Sequence, residues 1–317
     1  MIKQLSILLV GLLVTSPLFV FSKMQYGGSQ EVVLVGSLES ANSFISFVTV
    51  NGHKYIVKQK KRFNSQLGAV RDAFAAYIAQ ELAIAQSVEI IPSNIPIVGK
   101  INSLWPATLH TIAAGKTVRS QPESRYYYLC LKQRLPNGKV TGQWLTETII
   151  DQITWHKQLA IIIALDLFIC NTDRHGGNLF YDPKKDKFCA IDMDGIFRRD
   201  LPEFACEKLD LMVNVKNKQF TRKEIRALKR VRKTLQFLSD RYTVQHLIDK
   251  FHFFVDQAGF VKGSPLYTER IKNKIVRHEL MIIKSRVSLY KLIIALDAII
   301  NSFYARRFKD SYSINEV

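Results

Sequence analysis

The sequence predicts an α+β chain, strand-rich at the front and helical at the back. Three observations carry this. Residues 44–50 and 53–57 are apolar runs rich in β-branched and aromatic side chains, and Asn51-Gly52 between them is a strong two-residue hairpin signal. Leu179-Phe180-Tyr181 and the apolar run 188–191 flank the turn Asp182-Pro183-Lys184-Lys185-Asp186 and read as a second hairpin. Past residue 220, Thr221-Arg222-Lys223-Glu224 has the capping-box pattern that opens a helix.

Taken in order, the front begins with a strand over 31–38, built on Val32-Val33-Leu34-Val35. A small, polar stretch over 36–43 follows, then the strands of the Asn51-Gly52 hairpin, the second ending at Lys58. Residues 70–83 recur apolar at helical spacing and offer Asp72 and Glu81 as partners for Lys58. Residues 125–136 form an aromatic strand that ends at Pro136-Asn137-Gly138. A long apolar helix over 149–170 delivers Asn171 to the next loop, and Asp166 on it reads as structural. Helices over 221–238, 244–254 and 267–308 complete the chain. Residues 23–30 and 310–317 read as linkers.

The chemistry concentrates in Asn171-Thr172-Asp173-Arg174-His175-Gly176-Gly177-Asn178, followed past the hairpin by Ala190-Ile191-Asp192. The hairpin folds the chain back, so Asn178 at its entry and Asp192 at its exit converge. Phosphoryl transfer from ATP uses this set: a carboxylate to orient the attacking hydroxyl, and an Asn oxygen with a second carboxylate to hold Mg²⁺ on the phosphates. Hard oxygen ligands, few in number and completed by phosphate and water, suit Mg²⁺.

Asp-Arg-His-x-x-Asn followed by Ile-Asp resembles the catalytic and metal-binding loops of phosphoinositide 3- and 4-kinases, and HipA-like kinases are similar in the same places. The resemblance covers about residues 30–200. It implies a two-lobed, protein-kinase-like fold, with a small β-rich lobe over 23–136 and a larger, mainly helical lobe over 137–317. It implies Asp173 as the catalytic-loop Asp, and Asn178 and Asp192 as metal ligands. His175 polarises the transferring phosphate or steadies the backbone around Asp173. Lys58 matches the lysine on the α- and β-phosphates, with Asp72 as its ion-pair carboxylate, and Ser40 and Ser43 stand where a phosphate-covering loop lies. The chain departs from the family in reading Asp192-Met193-Asp194-Gly195, with no Phe and with Gly one place late. Asp194 is either a second metal ligand or the cap of the turn at Gly195. The implied activity is ATP- and Mg²⁺-dependent transfer to a phosphoinositide or a protein Ser/Thr. The alternative is an inactive binding module of the same fold.

Lys and Arg number 45 against 27 Asp and Glu, a net charge of +18. That balance favours anionic partners such as nucleotide phosphates, anionic lipid headgroups or nucleic acid. No zinc-finger spacing or RNA-binding aromatic signature is present, so no specific nucleic-acid partner is expected. Hydrophobic residues make up 47% and exclude general disorder. Residues 5–21 are almost uninterrupted apolar after Lys3 and lead to Ser22, so 1–22 reads as a secretory signal peptide. An uncleaved membrane anchor, with the remainder facing the cytoplasm, is the alternative. Cys130, Cys170, Cys189 and Cys206 lack metal-binding spacing, and no disulfide is expected.

Overall fold

Period-two alternation builds the front of the molecule in the computed structural model. The structure describes residues 23–26, 30–39, 43–50, 52–62, 66–92, 105–118, 133–134, 140–141, 153–154, 156–171, 174, 177–197 and 220–313. Strands β1 (Lys23–Tyr26), β2 (Gln30–Glu39), β3 (Ser43–Val50), β4 (His53–Lys60), β5 (Val88–Ile91) and β6 (Ala107–Thr111) form one sheet. Its order is β1-β2-β3-β4-β6-β5, and every neighbouring pair is antiparallel. Gly52, at φ +79°, takes the left-handed backbone that the β3–β4 turn requires. Val48, Val57, Ile91, Ala107 and Leu109 form a small core on this sheet.

Two expectations are corrected here. Residues 23–26, read as linker, pair with β2 from Lys23↔Val33 to Tyr26↔Gln30. The strand expected to end at Lys58 runs on to Lys60, so both lysines lie on one face, two residues apart. Ile90-Ile91 belongs to β5.

Helix α1 (Leu67–Gln80) crosses between β4 and β5 and is buried along almost its whole length, Tyr77 and its last residue excepted. Its five alanines and one glycine permit this, because small side chains let neighbours approach from every side. Phe74 meets the rings of Phe197, Phe251 and Phe254 at centroid distances of 6.1, 5.7 and 6.4 Å. α1 therefore roots the sheet in the main core.

The back half contributes β7 (Lys116–Thr117), the short pair β8 (Gln133–Arg134) and β9 (Val140–Thr141), α2 (Lys157–Phe168), and the hairpin of β10 (Leu179–Asp182) and β11 (Lys187–Ala190). β7 joins the hairpin in a three-stranded sheet. Gly115 makes this possible: at φ +90°, a Cβ there would lie 2.1 Å from the Tyr181 carbonyl oxygen. The apolar helix expected over 149–170 is interrupted. His156 is extended (φ −136°, ψ 133°) and its Nδ1 accepts from Gln158 N at 3.1 Å, so it caps a new helix beginning at Lys157.

Helices α3 (Arg222–Arg241), α4 (Val244–Gln257) and α5 (Glu269–Ser313) follow near their expected positions, with α5 running on through residues 310–313 that read as linker. Thr221 and Glu224 form the anticipated capping box: Glu224 N donates to Thr221 Oγ1 at 3.2 Å and Thr221 N to Glu224 Oε2 at 2.6 Å. α5 runs antiparallel along α3, tied by Arg232–Asp297 at 2.8 Å and by Arg286 donating to the Ser239 carbonyl at 2.7 Å. Cys170 is buried and Cys189 half-buried, while Cys130 and Cys206 lie outside the described residues. Also outside them are the leader 1–22 and, apart from Gln133 and Arg134, the aromatic segment 125–136.

Candidate active site

The site begins at the end of α2. Cys170 takes the left-handed conformation (φ 53°), and Asn171 N donates back to the Asp166 carbonyl at 2.8 Å. This is the six-to-one bond of a Schellman stop, with cysteine where glycine is usual. The stop turns Asn171 so that its Nδ2 donates to Asp166 Oδ1 at 2.8 Å. Asp166 is fully buried and also receives Arg174 in a two-pronged pair, Nε at 3.0 Å and Nη2 at 3.1 Å. Arg174 Nη1 then donates to the backbone oxygens of Asn178 at 2.6 Å and Ile191 at 3.1 Å. One guanidinium thus fixes the loop to both ends of the β10–β11 hairpin. Asp173 and His175 lie outside the described residues, but Arg174 between them and Asn171 before them are both tethered to Asp166.

The hairpin does what its spacing suggests. Leu179 pairs with Ala190 in register, and Ile191 N donates to the Asn178 carbonyl at 3.1 Å, so Asn178 and the residue before Asp192 are hydrogen-bonded neighbours. Asp192 has φ +49°, a left-handed backbone that Asp tolerates better than most residues. Its carboxylate is 36% exposed and receives Lys58 Nζ in an ion pair. Lys58 also lies 3.5 Å from Asp72 Oδ2, and the other Asp72 oxygen accepts from Met193 N at 3.1 Å. Burial alone would lower the Lys58 pKa; Asp72, Asp192 and Asp194 outweigh it and hold the ammonium above its ordinary range. Lys58 is therefore a fixed cation at neutral pH.

A second pair runs parallel to the first. Lys60, next along the same face of β4, pairs with Asp194. Gly68 at the start of α1 leaves room for it: a Cβ there would meet Lys60 Cε at 2.8 Å and Asp194 Oδ2 at 3.3 Å. Arg71 Nε donates to the Asp194 carbonyl at 2.7 Å, so α1 grips the segment after Asp192 through Arg71 and Asp72 side by side. Behind Asp72, His110 Nε2 stands 3.6 Å from its Oδ2 and 2.7 Å from Thr108 Oγ1. Burial, helped by Lys58 and only partly opposed by Asp72, lowers the His110 pKa and keeps the ring neutral.

Comparison with solved structures finds similar chains at low identity. The chain is similar to the Helicobacter pylori proinflammatory kinase CtkA, with a TM-score of 0.44 and 14% identity, over 81% of this chain and 95% of that one. It is also similar to the Shewanella oneidensis MR-1 HipA–HipB toxin–antitoxin complex with operator DNA, with a TM-score of 0.38 and 11% identity, over 88% of this chain and 67% of that one. No protein-family model and no curated protein matches the sequence.

The donor set can be tested against Mg²⁺ and ATP on chemistry alone. Among the described residues no three His, Cys, Asp or Glu side chains converge into a protein cage for a metal. What is present is a partly exposed carboxylate, Asp192, adjoining Asn178, with a permanent cation beside it. That set suits an ion which takes one or two protein oxygens and completes its shell with phosphate and water. The residues fit.

Of the expected site residues, Lys58, Asp72, Asn178 and Asp192 come together. Ser43 is buried at the first position of β3, opposite Lys60 in register, and Ser40 lies outside the described residues. Glu81, the other acid considered for Lys58, is instead 3.5 Å from Arg241. Lys60, Arg71, His110 and the full reach of Arg174 went unread. Thr108 and His110, two apart on one strand face, were the available signal for His110.

Proposed function

We propose that the chain is a phosphotransferase that moves the γ-phosphoryl group of ATP, with Mg²⁺, onto a hydroxyl of a phosphoinositide lipid or a protein Ser/Thr. The observation that carries this reading is Lys58 spanning Asp72 and Asp192, with Asn178 hydrogen-bonded alongside. Mg²⁺, when bound, neutralises phosphate charge as the bond to the leaving oxygen breaks. Lys58 exchanges Asp192 for a phosphate oxygen while Asp72 keeps its ammonium oriented. Asp192, so released, joins Asn178 in offering oxygens to the cation. Asp173, on the loop that Arg174 and Asn171 anchor, accepts the acceptor hydroxyl's proton as that oxygen attacks. His175 steadies this loop. Ser43 at the start of β3, and Ser40 before it, supply contacts to the phosphates. The likeness to phosphoinositide 3-/4-kinases and HipA-like kinases, and the division into lobes at 23–136 and 137–317, belong to the same reading. So does export or membrane anchoring by residues 1–22, which requires a compartment that supplies ATP.

The altered Asp192-Met193-Asp194-Gly195 favours one rival, a non-catalytic binding module. Asp194 is buried and pairs with Lys60, which supports a structural role for it. Thermal unfolding with millimolar Mg²⁺-ATP tests the nucleotide half of the proposal. A rise in Tm that chelation of Mg²⁺ abolishes supports it. An unchanged Tm counts against both readings of the site.

A further inference from the structure

Helix α5 has two apolar faces. The inner one, including Ile271, Ile275, Ile282, Leu289 and Leu296, is buried in the main core. The outer one carries Val276, Leu280, Ile283, Val287, Tyr290 and Ile294, all exposed, Val287 by 61% and Tyr290 by 69%. Their spacing alternates four and three residues, which on a helix makes a single stripe. A continuous apolar stripe in water marks an interaction surface, unlike scattered exposed residues.

The charge around the stripe indicates what it meets. Arg277, Lys284 and Lys291 recur every seven residues as an exposed row along one border. The two acids in the same stretch are turned toward neighbouring helices: Glu279 pairs with His252 and Asp297 with Arg232, each at 2.8 Å. On the other border lies α3, where Lys229 and Lys233 are exposed and Lys229 Nζ sits 4.3 Å from the centre of the Tyr304 ring.

The geometry points to docking of this face on an anionic lipid bilayer, with α5 lying in the plane of the interface. An apolar stripe bordered by cations is the pattern of helices that bury one side among the acyl chains and place Lys and Arg among acidic headgroups. A second copy fits the four-three spacing but not the charge. An antiparallel pair sets the Arg277–Lys284–Lys291 row against itself, and a parallel pair sets Lys291 against Arg286. Residues Glu269–Arg306 have the length and composition to cross a membrane, but a third of their apolar window is buried. Crossing would also strip Asp297 from Arg232. The inference is independent of the phosphotransfer reading.

The test is co-sedimentation of the full chain with vesicles of phosphatidylcholine alone and of phosphatidylcholine with phosphatidylserine. The wild type should pellet with the anionic vesicles and release as salt rises. Val287→Glu with Tyr290→Glu should cut that binding by about tenfold or more. Lys284→Glu with Lys291→Glu should cut it by about fivefold per cation, on the anionic vesicles only. All four positions are exposed, so circular dichroism should be unchanged. Variants that pellet like the wild type, as they would if residues 1–22 carried all the binding, overturn the inference. A dimer in sedimentation velocity that Val287→Glu with Tyr290→Glu dissolves overturns it in favour of a second copy.

Discussion

Lys58 and Asp192, 134 residues apart in the chain, meet as an ion pair across the gap between the β4 strand and the exit of the β10–β11 hairpin. Everything around the pair keeps its two members in place. Asp72 steadies the lysine, Met193 N bonds back to Asp72, and Arg174 fixes the hairpin from beneath. The account of function is an account of what this pair does when phosphate and a cation compete for its halves.

Asp192→Asn separates charge from shape. Asn tolerates a left-handed backbone, so φ +49° at this position should survive and the fold with it. Losing a charged metal ligand should weaken Mg²⁺-ATP binding about 10–100-fold, and calorimetry should show the remaining affinity nearly independent of Mg²⁺. Unchanged affinity would remove Asp192 from the metal site.

Arg174→Met leaves the buried Asp166 charge uncompensated and takes a donor from the carbonyls of Asn178 and Ile191, of which Asn178's keeps Ile191 N. Breaking a buried pair in this way costs about 3–5 kcal/mol. Denaturant unfolding should show that loss. Adding Asp166→Asn should then cost less than the sum of the two single changes, because the stranded charge is gone. Strict additivity would mean that the pair does not act as a unit.

His278 makes stability depend on pH. Its Nδ1 faces the Lys274 carbonyl at 2.6 Å, its Nε2 faces Arg71 Nη1 at 3.4 Å, and Phe251 stacks on the ring. Burial and then the Arg71 cation push its pKa down to about 4, only partly opposed by the Lys274 carbonyl. A depressed histidine pKa means that the folded state favours the neutral ring. Its contribution is fully present above the unfolded pKa of about 6.5 and is lost as pH falls toward 4. The loss is on the order of 3 kcal/mol. Equilibrium unfolding from pH 7 to 4 should show it, and His278→Leu should flatten the profile. His110, also lowered, titrates in the same direction and leaves some slope. An equally steep profile in His278→Leu would place the pH dependence elsewhere.

What the sequence revealed follows the range of the interactions involved. The β10–β11 hairpin, the Gly52 turn and the Thr221 capping box are local, and each is written within a few residues. The same β10–β11 hairpin places Asn178 beside the residue before Asp192, whereas the pairing of Lys58 with Asp72 was supplied by a resemblance and not by local pattern. β1 was missed because four residues flanked by Gly27-Gly28 read as linker until β2 is there to pair with them. The break before α2 was missed because apolar periodicity continues through His156 while its backbone does not. Arg71 and His278 are 207 residues apart, and only packing of α5 behind α1 brings them together. Lys60–Asp194 depends on the absence of a side chain at Gly68, which no charge pattern announces.

The most direct test of the central claim is transfer of radiolabelled γ-phosphate by the full chain, assayed on phosphoinositide vesicles and on mixed protein, wild type beside Asp173→Asn. The account predicts label on one of the two acceptors. It also predicts that Asp173→Asn retains nucleotide affinity yet loses roughly 10²–10⁴ in turnover, as expected for a missing general base. Transfer that survives Asp173→Asn unchanged would contradict the account, and so would binding of Mg²⁺-ATP with no transfer to either acceptor.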